Sequence, residues 1–574
     1  MAAKGKTTPK YIFVVGGVMS SVGKGVAAAS IGKILQSRGY RVANLKADMY
    51  VNVDAGTIRP AEHGEVFVGE DGIEADQDLG NYERFTDQLS TRENYITTGQ
   101  VYQEVIRKER NLEYHGEDVE VYPDIPKEII RRIEACQRKN NAEITIVEYG
   151  GTVGEYQLFP FLEATRMMKS KHPADVMVVL ISYLPTPALL GEQKSKPTQR
   201  AVNDLHSVGL NPDFVLCRAE RPATQDIKRT ISNVCSLPVE RIISAPDVYS
   251  IYDVPVNFEK EKLSDTLLGA LGLKSRTKDL KDWMALARKI KKMDKEVVIG
   301  IVGKYFNFKS VKDTYISVIE SVNHAAWSVG KKAKILWLDS ERYERDPKLL
   351  KELEGVGGIV VPGGFGGRGV EGIIAAIRYA REKGIPLFGL CYGMQLATIE
   401  FARNAAGLAK ANTTEIDSKT PHPVIDFIPE QRANVAEKNY GGTMRLGAYP
   451  TTLKPGSVAR EAYDTPRISE RHRHRYEVNP KYIERLEKKG LVFSGISPDR
   501  RLMEIAELPK AAHPFFVGTQ FHPEFKSRPL APHPLFRSFI KASVKRGEQE
   551  KKNRKPAVLV VRPNPNAHHA LRSG

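Results

Sequence analysis

Cysteine is scarce. Cys136, Cys217, Cys235 and Cys391 are the four in 574 residues, and no two are spaced C-x-x-C. That excludes a disulfide scaffold and a zinc ribbon, and it points to a reducing compartment. Long apolar runs are missing too. The longest candidate, Val176–Ile181, is strand-sized, against the ~18 residues that a membrane span needs. The first ten residues are polar and lack the apolar core of a secretory signal, so the expectation is a soluble, cytoplasmic protein with no membrane partner. No internal repeat is visible in either half. Acidic residues are in deficit, with 86 Lys+Arg against 69 Asp+Glu for a net charge of +17. Such a charge favours anionic partners such as nucleotides without choosing among them, and no motif calls for a specific nucleic acid. With 41% hydrophobic and 8% aromatic residues the chain is of globular composition, which excludes global disorder and a fibre.

Length predicts three to four units at about 150 residues each. In the first half, short β-branched runs (Tyr11–Val15, Ile144–Glu148, Val176–Ile181, Phe214–Cys217) alternate with the helical stretches Gly25–Arg38 and Pro126–Lys139. That alternation predicts βαβ units and a mostly parallel sheet. Lys274–Lys292 is charged and amphipathic and reads as a helical linker rather than a core element. A second βα series follows at Val297–Val302, Ile335–Leu338, Gly358–Val361 and Ile385–Leu390. The predicted fold is α/β: a P-loop-like parallel-sheet domain over 1–272, a linker over 273–296, a second α/β domain over 297–545 and a basic, disordered tail over 546–574.

After the first strand comes Gly16-Gly17-Val18-Met19-Ser20-Ser21-Val22-Gly23-Lys24-Gly25. Glycines let backbone N–H groups turn around phosphate oxygens, the following helix adds its dipole, and Lys24 adds a full charge. Against G-x-x-x-x-G-K-[ST] the loop is one residue too long, and Gly25 replaces the hydroxyl residue. A magnesium ion on the phosphates then needs oxygen ligands from elsewhere, normally carboxylates. Asp78, in the acidic segment Glu74–Gly80, and Glu148, at the end of a strand before Gly150-Gly151, are the candidates. The bland alternative for each is a solvated surface acid.

In the second half, Gly389-Leu390-Cys391-Tyr392-Gly393 joins a strand to the helix MQLATIEFARN, the pattern of a nucleophile elbow. A thiol at a helix N-terminus is favoured as thiolate. Pro362–Gly366 can aim backbone N–H groups at a developing oxyanion. His522-Pro523-Glu524 follows another strand, and there His522 can act as base with Glu524 orienting it.

Over about Lys10 to Ala542, the motifs GGVMSSVGKG, NVDAGT, HGEVFV, DLGNYERF, EYGGTVG, KSKPTQ, PGGFGGRGVEG, CYGMQ, ERHRHRYEVN and QFHPEF resemble the CTP synthase family. The C-terminal half alone is similar to class I glutamine amidotransferases. The resemblance implies that ATP phosphorylates O4 of UTP, that glutamine yields ammonia through a thioester on Cys391, and that ammonia crosses an internal channel to C4. It implies that Ser21, Gly23, Lys24 and Gly25 bind ATP, that Lys46 stabilises the transferring phosphoryl group, and that Asp78 and Glu148 bind Mg2+. Ser20, Glu155, Gln157, Lys194, Lys196 and Gln199 fall at the pyrimidine-nucleotide site, and Gly364, Gln395, Glu415 and Arg475 at the glutamine site. Arg368 lies in a loop that the family uses as a lid responsive to GTP, its allosteric activator. CTP is the family's feedback inhibitor, and the family forms homotetramers with shared nucleotide sites, and filaments.

The chain departs from the family pattern at Gly154-Glu155-Tyr156-Gln157-Leu158, where G-D-I-E-S is usual, and at Lys46-Ala47-Asp48-Met49-Tyr50, where K-L-D-P-Y is usual. Thr230 stands for a lysine, next to Lys228 and Arg229. His115 and Asp124 stand for a leucine and a histidine near the ammonia gate. These changes predict UTP as acceptor with weaker binding and altered CTP feedback. Two readings compete: a paralogue aminating another nucleotide or a modified pyrimidine, and a non-catalytic filament or regulatory subunit. The intact Lys24, Asp78, Glu148, Cys391, His522 and Glu524 argue against the second.

Overall fold

The computed structural model describes residues 8–553 apart from 188, 190, 305–310, 429–430 and 432–440. Two large sheets organise these residues. The first is seven-stranded and parallel, in the order Tyr95–Thr97, Val42–Asp48, Ile144–Tyr149, Lys10–Gly16, Val176–Tyr183, Phe214–Ala219, Ile242–Pro246. Its central strand is buried on both sides. Ile12 and Val14 face the helix Lys24–Ser37, and Phe13 and Val15 face the opposite layer with Ile129 and Phe161. Alternation of side chains along an extended strand makes this two-faced burial possible, and it explains the near-continuous apolar runs.

The second sheet has nine strands. Lys332–Asp339, Glu296–Gly303, Gly358–Val361, Leu387–Leu390 and Phe516–Thr519 run parallel, and Met503–Leu508, Val492–Ile496, Arg445–Leu453 and Arg467–His474 extend it in antiparallel pairs. The chain is therefore α/β in both halves. Among the described residues no helix is long and apolar enough to cross a membrane.

Two expectations need correction. Within the stretch expected to be a linker, Lys281–Lys292 is a helix, and Trp283, Leu286, Ala287 and Ile290 on it are buried in the core. Trp283 packs against Phe85 and Tyr252 and donates from Nε1 to Tyr252 O at 2.9 Å. An amphipathic period gives a helix one apolar stripe, and here the stripe is part of the first core. Of the expected tail, residues 546–553 continue the helix Pro534–Asn553, and the remainder lies outside the described residues.

The two halves are locked together by buried charge. Arg471, on the edge strand of the second sheet and 0% exposed, donates to Glu70 at 2.9 Å, to Val68 O at 3.0 Å and to Glu83 at 3.0 Å. Glu83 is also 0% exposed and accepts from Arg528 as well. Tyr252 adds a polar bridge, donating to Glu320 at 2.6 Å beside His324. Neutralising the shared acid leaves two buried cations short of a partner, a change that costs about 3–5 kcal/mol. Glu83→Gln is therefore expected to lower the unfolding free energy by an amount of that order, read as a lower denaturant midpoint, while Glu109→Gln, on the surface, leaves the midpoint unchanged. An unaltered midpoint in Glu83→Gln would show that this network does not hold the halves together.

Candidate functional site

At the C-terminal end of the central strand the chain turns through Ser21 (φ 57°) and Gly23 (φ 84°) into the helix Lys24–Ser37. Its first turn contains no acidic residue of its own, so N–H groups and the positive end of its dipole face the loop. Lys24 reaches across the strand ends, its Nζ donating to Gly151 O at 2.8 Å. Burial, then the neighbouring Lys46, lowers its pKa.

Gly25 explains the irregular motif. A Cβ built there would lie 1.8 Å from Asp78 Oδ1, so the carboxylate occupies the space that a hydroxyl residue would need. Asp78 starts the helix Asp78–Thr86, and Glu148 sits in the strand Ile144–Tyr149. Neither is a solvated surface acid, since Glu148 is buried and Asp78 is mostly so. Between them stands Lys46, with Nζ 2.6 Å from Asp78 Oδ2 and 3.2 Å from Glu148 Oε1. Asp48 and Asp76 follow at 3.6 and 3.9 Å.

One ammonium thus serves four carboxylates, and the competition sorts them. Against the penalty of burial, Lys46 holds Asp78 down to about 2. Burial and then Asp78 push Glu148 up to about 7. Tyr82 donates its hydroxyl to Glu148. Burial and the neighbouring acids push Asp76 well above the usual range. Despite burial, Lys46 itself stays charged because these acids surround it. The sequence reading missed Asp48, Asp76 and Tyr82, although all three sit beside motif residues it used.

Beside the phosphate loop lies an apolar slot that the sequence did not reveal. Val22, Val26, Leu216, Ala245, Pro246 and Ile251 line it, with Arg218 at its edge. These residues come from four separate segments, and no local spacing links them.

The residues assigned to the pyrimidine nucleotide ring the same strand ends. Ser20 and Ser21 are exposed on the loop, and Lys194 pairs with exposed Glu192 at 3.0 Å. Lys196 opens the helix Lys196–Ser207, where Gln199 donates to Ser195 Oγ at 3.0 Å. Glu155 folds back on its own chain, accepting from Thr152 N at 2.9 Å and Thr152 Oγ1 at 2.7 Å, and Gln157 donates to it at 2.8 Å. Lys228 is turned inward onto Glu261 at 2.6 Å, so of the two basic neighbours of Thr230 the surface one is Arg229. His115 is on an exposed turn and Asp124 pairs with Lys127 at 3.1 Å. Neither lines the cavity at Cys391.

In the second half Cys391 occupies the sharp turn between strand and helix with φ 49° and ψ −98°. A Cβ at Gly393 would lie 2.3 Å from Val361 O, so the turn tolerates no side chain there. Strain of this kind at a non-glycine residue is paid for by surrounding packing and lifts the side chain into the site. His522 Nδ1 contacts Glu524 Oε1 at 2.7 Å, and its buried Nε2 has no hydrogen-bond partner among the described residues, which leaves it to interact with the Cys391 thiol. Burial would lower the imidazole's pKa, but Glu524 and then Cys391 raise it to about 10. Gly363 passes so close to His522 that a Cβ would come within 2.9 Å of Cε1.

Of the residues assigned to glutamine, Gly364 lines the cavity with Cys391. Gln395 donates to Tyr476 O at 2.9 Å, and Glu415 accepts from Gly366 N at 2.7 Å. Arg475 reaches Gln431 and Thr443, both at 2.8 Å, and Arg368 ties its loop to Glu341 at 3.0 Å. Pro60, Glu65 and Val66 of the first half line the same cavity as Cys391.

A model of the CTP synthase N-terminus matches residues 10–273, and one of glutamine amidotransferase class-I matches residues 310–542. A CTP synthase of Symbiobacterium thermophilum is 49% identical over 93% of this chain and 98% of its own length. One from Thermococcus gammatolerans is 50% identical over 94% and 99%. Among solved structures, the glutaminase domain of Trypanosoma brucei CTPS with bound acivicin is 38% identical over 43% of this chain and 94% of that one, with a TM-score of 0.40.

Glu65 carries a pH signature. Burial raises its pKa from 4.5 to about 7, with bonds from Ser317 and the charge of Arg84 only partly offsetting it. A carboxyl group raised on folding costs nothing below the unfolded value and imposes its full penalty above the folded one. Stability should therefore decline between pH 4.5 and 7 from this group. Thermal unfolding of Glu65→Gln against the native chain should show a relative gain at pH 8 that vanishes near pH 4.5. A gain independent of pH would place the effect in packing instead.

Proposed function

The chain belongs to the CTP synthase family, and we propose that it aminates UTP to CTP with ATP and with ammonia taken from glutamine. The observation that carries this reading is one cavity with two owners: Cys391, His522 and Glu524 on one wall, and Pro60, Glu65 and Val66 of the first half on the other. Ammonia released at the thiol is then already at the border of the synthase half.

In the glutaminase reaction His522 takes the thiol proton and Sγ attacks the side-chain amide carbon. Backbone N–H groups of the Pro362–Gly366 loop receive the oxyanion. The C–N bond breaks, ammonia leaves with the proton from His522, and water hydrolyses the thioester to glutamate. Gly364, Gln395, Glu415 and Arg475 hold the amino-acid end of the substrate in this reading.

In the synthase reaction the Gly16–Gly25 loop and Lys24 hold the phosphates, and the apolar slot at Val22 and Leu216 takes the adenine ring. Lys46 neutralises charge on the transferring phosphoryl group, for which positioning and electrostatics supply most of the catalysis. Phosphorylated O4 becomes the leaving group when ammonia attacks C4. Asp78 and Glu148 fit a divalent magnesium ion, being oxygen donors with Asp78 in the place of the missing hydroxyl. Such an ion would neutralise the triphosphate.

Ser20, Glu155, Gln157, Lys194, Lys196 and Gln199 are the acceptor side of this site, where UTP and the product CTP compete. Exposed Val51, Tyr122, Tyr156 and Phe159 near these strand ends support assembly as a homotetramer with shared nucleotide sites. Arg368 is the proposed point at which GTP acts on the glutaminase loop. Four buried, unpaired cysteines accord with work in the reducing cytoplasm.

Two substitutions test the halves separately. Cys391→Ala should reduce glutamine-dependent CTP formation by several orders of magnitude, as loss of a covalent nucleophile does, while added ammonia is still used. Gly25→Ser would make the loop motif regular, yet its side chain collides with Asp78. It should abolish CTP formation from both nitrogen sources and spare basal glutamate release. Product identification by mass decides the acceptor: no CTP from UTP with the native chain would refute the reading.

A further inference from the structure

Among the described residues, the sulfur of Cys391 makes two hydrogen-bond contacts: to Arg473 O at 3.7 Å and from Gln520 Nε2 at 3.6 Å. Which end of a glutamine amide faces an atom is decided by the partners of the other end. Here the decision starts at a backbone carbonyl. Tyr476 O can only accept, and it accepts from Gln395 Nε2 at 2.9 Å. The same nitrogen donates to Gln520 Oε1 at 3.3 Å. Turning Gln395 over would set two carbonyl oxygens against each other, and turning Gln520 over would oppose two amide nitrogens. The relay therefore ends with an N–H of Gln520 aimed at the sulfur. Gln520 is 1% exposed, and its backbone is pinned by a 2.8 Å bond from its N–H to Glu504 O, so the side chain cannot swing away into solvent.

We propose that Gln520 is a catalytic residue of the glutaminase, donating a hydrogen bond to Cys391 Sγ whenever the sulfur carries negative charge. This rests on the glutaminase reading above. A neutral thiol can donate to Arg473 O, but a thiolate has no proton to give and is repelled by that oxygen. The N–H of Gln520 suits the charged form instead. Charge appears on sulfur twice. The thiolate attacks the amide carbon, forming the C–S bond as the C–N bond breaks and ammonia departs with the proton from His522. When water later adds to the thioester, the C–S bond breaks and the electron pair returns to sulfur. Gln520 meets the charge at both moments.

Gln520→Met keeps the length and removes the N–H, and Gln520→Glu keeps the shape and puts an acceptor against the sulfur. The first measurement is the rate of Cys391 alkylation by iodoacetamide against pH in the full chain without glutamine, with Cys391→Ala as blank. Both variants should need higher pH for the same rate, Glu more than Met, and at neutral pH should react about 10-fold more slowly or worse, as loss of a hydrogen bond to a charged group implies. The second is glutamine hydrolysis by Gln520→Glu, which keeps an oxygen for Gln395 of the glutamine site: kcat should fall and KM stay within about twofold, since the lost contact is to the nucleophile. Alkylation profiles that coincide for the native chain and a folded Met variant would overturn the proposal. If Met unfolds the chain, as its thermal midpoint would show, the profile of the Glu variant decides. A native chain that alkylates normally but releases no glutamate would defeat the glutaminase reading, and the alkylation series would still judge Gln520.

Discussion

Glu83 is a single buried carboxylate with an arginine from two different segments of the other half, Arg471 and Arg528, bonded to it. The arrangement of both sites depends on this shared charge. Arg471 lies on the strand Arg467–His474, and fixing that strand fixes what alternates along it. Two residues on, Arg473 turns its guanidinium to Glu74 at 2.7 Å and its carbonyl to Cys391. Glu74 in turn begins the segment that ends at Asp78. Cys391 and Asp78 are thereby tied to one strand. Buried ion pairs contribute little net stability compared with apolar packing, but they do not tolerate a slipped register, because a slip strands a charge.

A different economy governs the phosphate side. Four carboxylates gather around Lys46, more negative charge than one ammonium can neutralise. Burial, and then that surplus, raise Glu148, while Lys46 keeps Asp78 ionised. On the proposed reading that surplus is what a divalent cation would neutralise, and Lys24 is left for the phosphates. The glycine at position 25 is part of the same solution: by giving up its side chain, the loop lets a helix on another segment deliver the carboxylate.

Legibility in the sequence followed the range of the interactions. The parallel strands were readable because burial on both faces leaves an apolar run, as in Val176–Ile181. The elbow at Cys391 and the pair His522 and Glu524 were readable because their geometry is encoded within a few residues. The absence of a hydroxyl at Gly25 led to Asp78 by a chemical argument, and the close approach of the two residues gives that argument its steric reason. By contrast, Lys274–Lys292 looked like a linker because its charge and amphipathic period say that one face is apolar but not what covers it, and Trp283 supplies the answer only in three dimensions. The slot beside the phosphate loop and the relay through Gln395 and Gln520 join residues distant in sequence. Lys228 and Arg229 are adjacent in sequence, yet one is paired inside and the other outside, a distinction set by the helix phase and by Glu261.

The acceptor side shows what a small change of side chain does when its neighbours are fixed. Gly151 has φ 71° and lies so near Glu155 that a Cβ there would come within 2.8 Å of Oε2, so the carboxylate rests against bare backbone. With the reach of its extra methylene, Glu155 gains two donors from Thr152 and a third from Gln157. A carboxylate satisfied three times by its own chain offers a ligand hydroxyl less than one left facing the site, because the newcomer must displace a bond already made. Gln157 contributes to that saturation: an acid at position 157 would repel Glu155 and swing outward, whereas the amide donates inward. The two departures from the family pattern are therefore one coupled change. On the proposed reading it leaves Glu155 and Gln157 less to offer the acceptor, and it gives Lys194, Lys196 and Gln199 the larger share of that task.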